Sequence, residues 1–92
     1  MRDMKIRKHY YVSGSVQGVG FRYRAYHLAN SLGITGYVTN LYDGRVELEL
    51  QGEKDFVNGF LDRIAQGSFI YIDDVEVSSM AVEEEERAFQ IR

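Results

Sequence analysis

Residues 14–22, Gly-Ser-Val-Gln-Gly-Val-Gly-Phe-Arg, bring together the residue types and spacing best suited to chemistry in this sequence. They lie between a β-rich stretch at 10–14 and a helical pattern that begins at Phe21. A chain that leaves a strand and enters a helix in this way can present several backbone N–H groups to an anion, with the positive end of the helix dipole behind them. Gly18 and Gly20 carry no Cβ, so the backbone there can turn outward and approach a ligand closely. Arg22, in the first helical turn, adds a planar fork able to grip two phosphate oxygens. Taken alone, a glycine pair before a helix is first of all a tight turn, and anion binding is its second reading.

Better-known chemistries fail on the residues. A P-loop requires a Gly-Lys-Ser/Thr ending, which is missing, and a dinucleotide fingerprint starting at Gly18 meets Tyr23 where its third glycine belongs. The chain has no cysteine, hence no thiolate nucleophile, no disulfide framework and no cysteine metal site. His9 and His27 are too isolated to form a metal site and read as surface or partly packed side chains; no metal and no cofactor is expected. Arg24, two residues from Arg22, falls on a different helical face and reads as a surface charge. Gln17 reads first as a solvent-facing loop tip. The seven tyrosines read as core or rim packing of a sheet, since the aromatic–basic signature of RNA recognition is missing.

The positioning elements follow from periodicity. The stretch 10–14 reads as a strand entering the loop. Phe21, Ala25, Leu28, Ala29 and Leu32 recur at helical spacing, and Gly33 ends that helix as a cap able to take positive φ. Residues 37–41 read as a second strand. Asp43-Gly44 reads as a two-residue primed turn, after which Val46, Leu48 and Leu50 alternate with polar residues in a strand buried on one face. A second helix has Glu53 and Asp55 in its first turn and Phe56, Val57, Phe60, Leu61 and Ile64 on its core face, and Gly67 ends it. Gly59 inside it costs about 1 kcal/mol relative to alanine. Val75 and Val77 mark a later strand, and Phe89 and Ile91 a short final one. The order β-α-β-β-α-β, with one more strand, predicts a ferredoxin-like α+β sandwich: two helices on one face of an antiparallel sheet. That architecture hosts many functions and decides none of them.

Ninety-two residues predict one domain, 1–92, with 1–8 as a candidate flexible basic segment. No apolar run approaches the roughly 20 residues of a membrane span, and the polar N-terminus does not read as a secretory signal. A cytoplasmic monomer is expected. The net charge of −3 argues against nucleic acid as a partner. Arg2, Lys5, Arg7 and Lys8 crowd one end of the chain, and Glu83, Glu84, Glu85 and Glu86 lie near the other. The simple reading is two solvated segments; the sharper one sets them side by side.

Two stretches resemble the signatures of a known family. Val16-Gln17-Gly18-Val19-Gly20-Phe21-Arg22 is similar to the first motif of the acylphosphatases. Gly36-Tyr37-Val38-Thr39-Asn40, with Asp43-Gly44-Arg45-Val46-Glu47, is similar to the second. The resemblance runs from about His9 to the C-terminus. It implies hydrolysis of small acyl phosphates without a metal or a covalent intermediate. It further implies a phosphate held by the loop Ser15, Val16, Gln17, Gly18, Val19, Gly20 and Phe21 together with Arg22, and an attacking water held by the Asn40 amide. Tyr37 stands where members often have tryptophan, and Thr39 where they often have a basic or larger residue. Residues 68–71 lack the prolines often found there. These departures bear on packing and acyl-side preference. The second reading of Gln17, after that of a loop tip, is a contact to the substrate's acyl-side group. Two other readings stay open on the same fold: a module that binds carbamoyl phosphate or another phosphate without turnover, and a single-stranded RNA-binding module.

Overall fold

The computed structural model describes residues 4–92. In chain order the elements are β1 (Lys5–Ser15), α1 (Phe21–Leu32), β2 (Thr35–Asn40), β3 (Val46–Glu53), α2 (Lys54–Asn58), α3 (Phe60–Ala65), β4 (Tyr71–Met80) and β5 (Phe89–Ile91). The five strands form one sheet in the order β4-β1-β3-β2-β5. This is the predicted α+β arrangement, with four differences.

The first strand begins at Lys5, so residues 5–8 of the basic segment belong to the sheet; Arg2 lies outside the described residues. The second helix is two short helices, broken at Gly59, where φ is −94° and the α-helical path lapses. The β2–β3 connection is not a two-residue primed turn. Gly44 N–H closes on Leu41 O at 3.2 Å, Leu41 N–H on Arg45 O at 2.8 Å, and only Gly44 has positive φ. Asp43 keeps negative φ and its carboxylate accepts from Arg45 N–H, the ordinary use of aspartate in such a turn. Finally, β5 pairs with β2 in parallel, which makes the sheet mixed rather than antiparallel.

Strand alternation divides the sheet into two faces. Val12, Val38, Val46, Leu48 and Leu50 point into the core together with Phe21, Ala25 and Ala29 of α1 and Val57, Phe60 and Ile64 of α2 and α3. Gly33, with φ 69°, ends α1 as expected. The opposite face is polar yet partly buried. The chain leaves β4 on one edge and must reach β5 on the other, so residues 81–88 cross this face. Arg7, only 4% exposed, lies beneath the crossing and pairs with Glu49 and with Glu86 at 2.7 Å. Gln51 accepts from Arg7 and exchanges hydrogen bonds with the Glu83 backbone, and the Thr35 hydroxyl donates to Glu86. The basic and acidic segments therefore meet, through Arg7 and Glu86. Burial opposes the Arg7 charge, but its bonds to Glu86 and Glu49 outweigh that and raise its pKa. Burial likewise pushes the Glu86 carboxyl up, and Arg7 and Thr35 pull it below the ordinary carboxylate value.

Candidate functional site

The loop after β1 is shaped from both sides. A bulge between Ser13 and Gly14 shifts the register against β4. Gly14, at φ 131°, lies so close to Tyr71 that an added Cβ would be 2.2 Å from the Tyr71 carbonyl oxygen. Beyond the bulge, Val16 and Phe21 sink into the core. Between them Gly18 and Gly20 adopt left-handed φ values of 73° and 83° and remain exposed. A Cβ at either would meet nothing within 4 Å, so the requirement is for the backbone conformation rather than for space. The apolar side chains thus pin the loop inward and its backbone faces out.

Gly20 is the N-cap of α1 and no side chain caps that end. No hydrogen bond among the described residues uses a backbone N–H from residues 17–22. These donors coincide with the positive end of a 12-residue helix whose first turn carries no acid. They belong to the wall of a pocket of about 280 Å³, lined by Val16, Gly18, Gly20, Phe21, Arg22 and Tyr23 from this loop and helix start. Asn40, the last residue of β2, and Ile91 of β5 complete the lining. The Arg22 side chain is exposed, with no hydrogen bond or ion pair to another described residue, and so keeps its donors available to the pocket. Asn40 Oδ1 is buried with no hydrogen-bond partner among the described residues, the one such side-chain atom they contain. An acceptor left in that state costs about 1–3 kcal/mol.

Of the residues singled out from sequence, Val16, Gly18, Gly20, Phe21, Arg22 and Asn40 meet at this pocket. Ser15, Gln17 and Val19 do not line it. Ser15 ends β1 opposite Tyr71, and Val19 faces a neighbouring groove shared with Leu28 and Phe69. Gln17 is not a solvent-facing tip: its Nε2 donates to Leu41 O at 2.7 Å and Arg45 O at 2.9 Å. Arg24 is exposed, as expected of a surface charge, and its guanidinium also donates to the carbonyls of Ile64 and Gln66, tying α1 to the end of α3. Tyr23 and Ile91 were missed. Tyr23 follows Arg22 in the motif and could have been suspected, but Ile91 reaches the site only through the parallel pairing of β5.

His9 sits on the polar sheet face, 2.7 Å from Glu47, and His27 packs edge-on against Tyr23 and Tyr26. Among the described residues no group of three or more His, Asp or Glu side chains is placed to hold a metal. Tyr10 is in the core and burial pushes its hydroxyl up to about 12, whereas Tyr23, Tyr42 and Tyr71 are exposed rather than packed. Tyr37 donates to Glu47 and Glu49 beneath the Arg92 guanidinium; burial first, then the Glu47 bond, raises its pKa. No helix among the described residues is long and apolar enough to cross a membrane.

A strand-to-helix loop of amides without partners among the described residues, an arginine and an amide side chain thus line one pocket on a ferredoxin-like α+β sheet. Residues 8–91 match the family model described as Acylphosphatase. The chain is 44% identical to an acylphosphatase of Bifidobacterium longum over 89 residues, covering 95% of this chain and 92% of that one. The crystal structure of acylphosphatase from Bacillus subtilis superposes with a TM-score of 0.85 at 33% identity, covering 95% of this chain and 98% of that chain. An acylphosphatase from Coxiella burnetii does so with a TM-score of 0.84 at 34% identity, covering 96% and 93%. The chain belongs to the acylphosphatase family. It is an enzyme that hydrolyses small acyl phosphates.

Proposed function

We propose that the phosphoryl group of the substrate occupies the pocket lined by Val16, Gly18, Gly20, Phe21, Arg22 and Asn40, and that a water held by the Asn40 amide attacks its phosphorus. The loop N–H groups and the Arg22 fork stabilise charge on the phosphoryl oxygens as the bond to the acyl oxygen lengthens. The water oxygen bonds to phosphorus, the phosphorus–acyl oxygen bond breaks, and the carboxylate leaves with its electron pair. Both water protons end on inorganic phosphate, so charge balances without a strong general base. A good leaving group needs none. Asn40 Oδ1 accepts a hydrogen bond from the water and fixes its approach. The observation that carries this reading is the convergence of unpaired loop amides, an unpaired arginine and an unpaired buried amide oxygen on one pocket. At roughly 30 Å³ per water, about 280 Å³ admits a phosphoryl group with a water beside it.

The reading extends to a monomer of the cytoplasm that needs neither metal nor cofactor and takes no nucleic acid, in line with the net charge of −3. The test is Asn40→Ala, assayed with benzoyl phosphate in excess EDTA. Orienting the nucleophile acts in the transition state, while phosphate affinity belongs to the loop and Arg22. A folded variant is expected to lose on the order of 10²-fold or more in kcat, with the competitive inhibition constant of inorganic phosphate nearly unchanged. Ordinary kcat would remove the role of Asn40, and activity lost to EDTA and restored by zinc or magnesium would refute the metal-free route.

A further inference from the structure

The pocket joins two chain segments that the sheet does not pair directly. The loop follows β1, Asn40 ends β2, and β3 lies between those strands. Among the described residues one side chain bridges the two segments by hydrogen bonds: Gln17, through Leu41 O and Arg45 O. Both acceptors are backbone carbonyls, so the nitrogen of the amide must face them, and its two protons are both used. Leu41 follows Asn40, and Arg45 precedes Val46, the register partner of Asn40. The turn does not depend on Gln17 for its closure, because Leu41 O also accepts from Gly44 N–H and Arg45 O from Leu41 N–H. The tether therefore holds the loop to the end of the hairpin rather than the hairpin to itself.

We propose that Gln17 is a positioning residue, whose amide sets the distance between the phosphate loop and the Asn40 side chain. The inference rests on the role given to Asn40 above, and a double-mutant cycle separates the two. With benzoyl phosphate, Gln17→Ala is expected to lower kcat by about 10-fold or more, since a displacement of an ångström is costly at a reacting centre. The phosphate inhibition constant should stay within about threefold, because the loop's own donors are intact. Introduced into Asn40→Ala, the same substitution should change kcat by less than about twofold, as nothing remains to be positioned. Gln17→Glu keeps the shape, removes both donors and sets a carboxylate against two carbonyls; it should reproduce the pattern, and it serves the cycle if the alanine variant does not fold. Equal losses in both Asn40 backgrounds, or phosphate affinity falling in step with kcat, would overturn the inference while leaving Asn40 in place. Ordinary kcat in Asn40→Ala alone would overturn both.

Discussion

The polar face of the sheet and the pocket at its end treat polar groups in opposite ways. On the sheet face Arg7, Glu49, Gln51, Glu86 and Thr35 satisfy one another across three strands and the crossing segment, and His9, Glu47 and Tyr37 form a second chain of bonds beside them. At the pocket the loop amides, the Arg22 guanidinium and Asn40 Oδ1 have no partner among the described residues. Two arginines show the contrast directly. Arg7 is buried and its charge is committed to carboxylates, so its value is structural; Arg22 is exposed and uncommitted, so its value lies in what it can bind. Unmet hydrogen-bonding capacity, rather than charge or burial alone, distinguishes the candidate site from the rest of the molecule.

The largest expected effect on activity, besides that of Asn40, is at Arg22. Arg22→Lys keeps the charge but loses the bidentate fork, and kcat/KM for benzoyl phosphate should fall on the order of 10²-fold at unchanged thermal stability. Near-normal kcat/KM in a variant shown to be folded by circular dichroism would place Arg22 among surface residues. Arg7→Leu should do the reverse. It leaves Glu49 and Glu86 without their cation and should cost about 3–5 kcal/mol in urea unfolding, with kcat of the folded fraction preserved. A variant as stable as the parent would show that the network contributes nothing net.

The smallest effect concerns acid. The bond to His9 above all holds the Glu47 carboxyl below its ordinary value near 4.5, and Arg7, working against burial, does the same for Glu86. A carboxyl with a lowered pKa in the folded state adds stability at pH above its unfolded value and loses it as pH falls through the folded one. The urea midpoint should therefore decline as pH drops below about 4.5, and Glu47→Gln should make that decline shallower. A midpoint that rises on acidification would contradict the assigned directions.

What was legible in the sequence is what depends on short windows. The 3.6-residue spacing of Phe21, Ala25 and Leu28, the alternation of Val46, Leu48 and Leu50, and the cap at Gly33 are local facts, and so is a loop whose glycines precede a helix with Arg22 in its first turn. The loop and Asn40 were joined as pieces of one candidate site only by the resemblance of their two motifs to those of the acylphosphatases. Gly59 was legible as a cost but not as a break, because whether a helix tolerates a glycine depends on what packs on either side of it. Asp43-Gly44 misled for a related reason: its composition suits several turns, and the register of β2 with β3 selects among them.

The rest required the tertiary structure, because it concerns partners far apart in the chain. Gln17 meets carbonyls 24 and 28 residues away, Arg24 reaches one 40 residues away, and Arg7 finds Glu86 at a separation of 79. No local pattern encodes such pairs. They follow from the strand order, which sends residues 81–88 across the polar face and sets β5 parallel to β2, bringing Ile91 to the pocket. By itself the sequence determined which residues form the outward-facing loop before α1, since φ preferences and dipole direction act within a few positions. How far that loop stands from Asn40 was decided by a sheet whose middle strand keeps them apart and a glutamine that spans the gap.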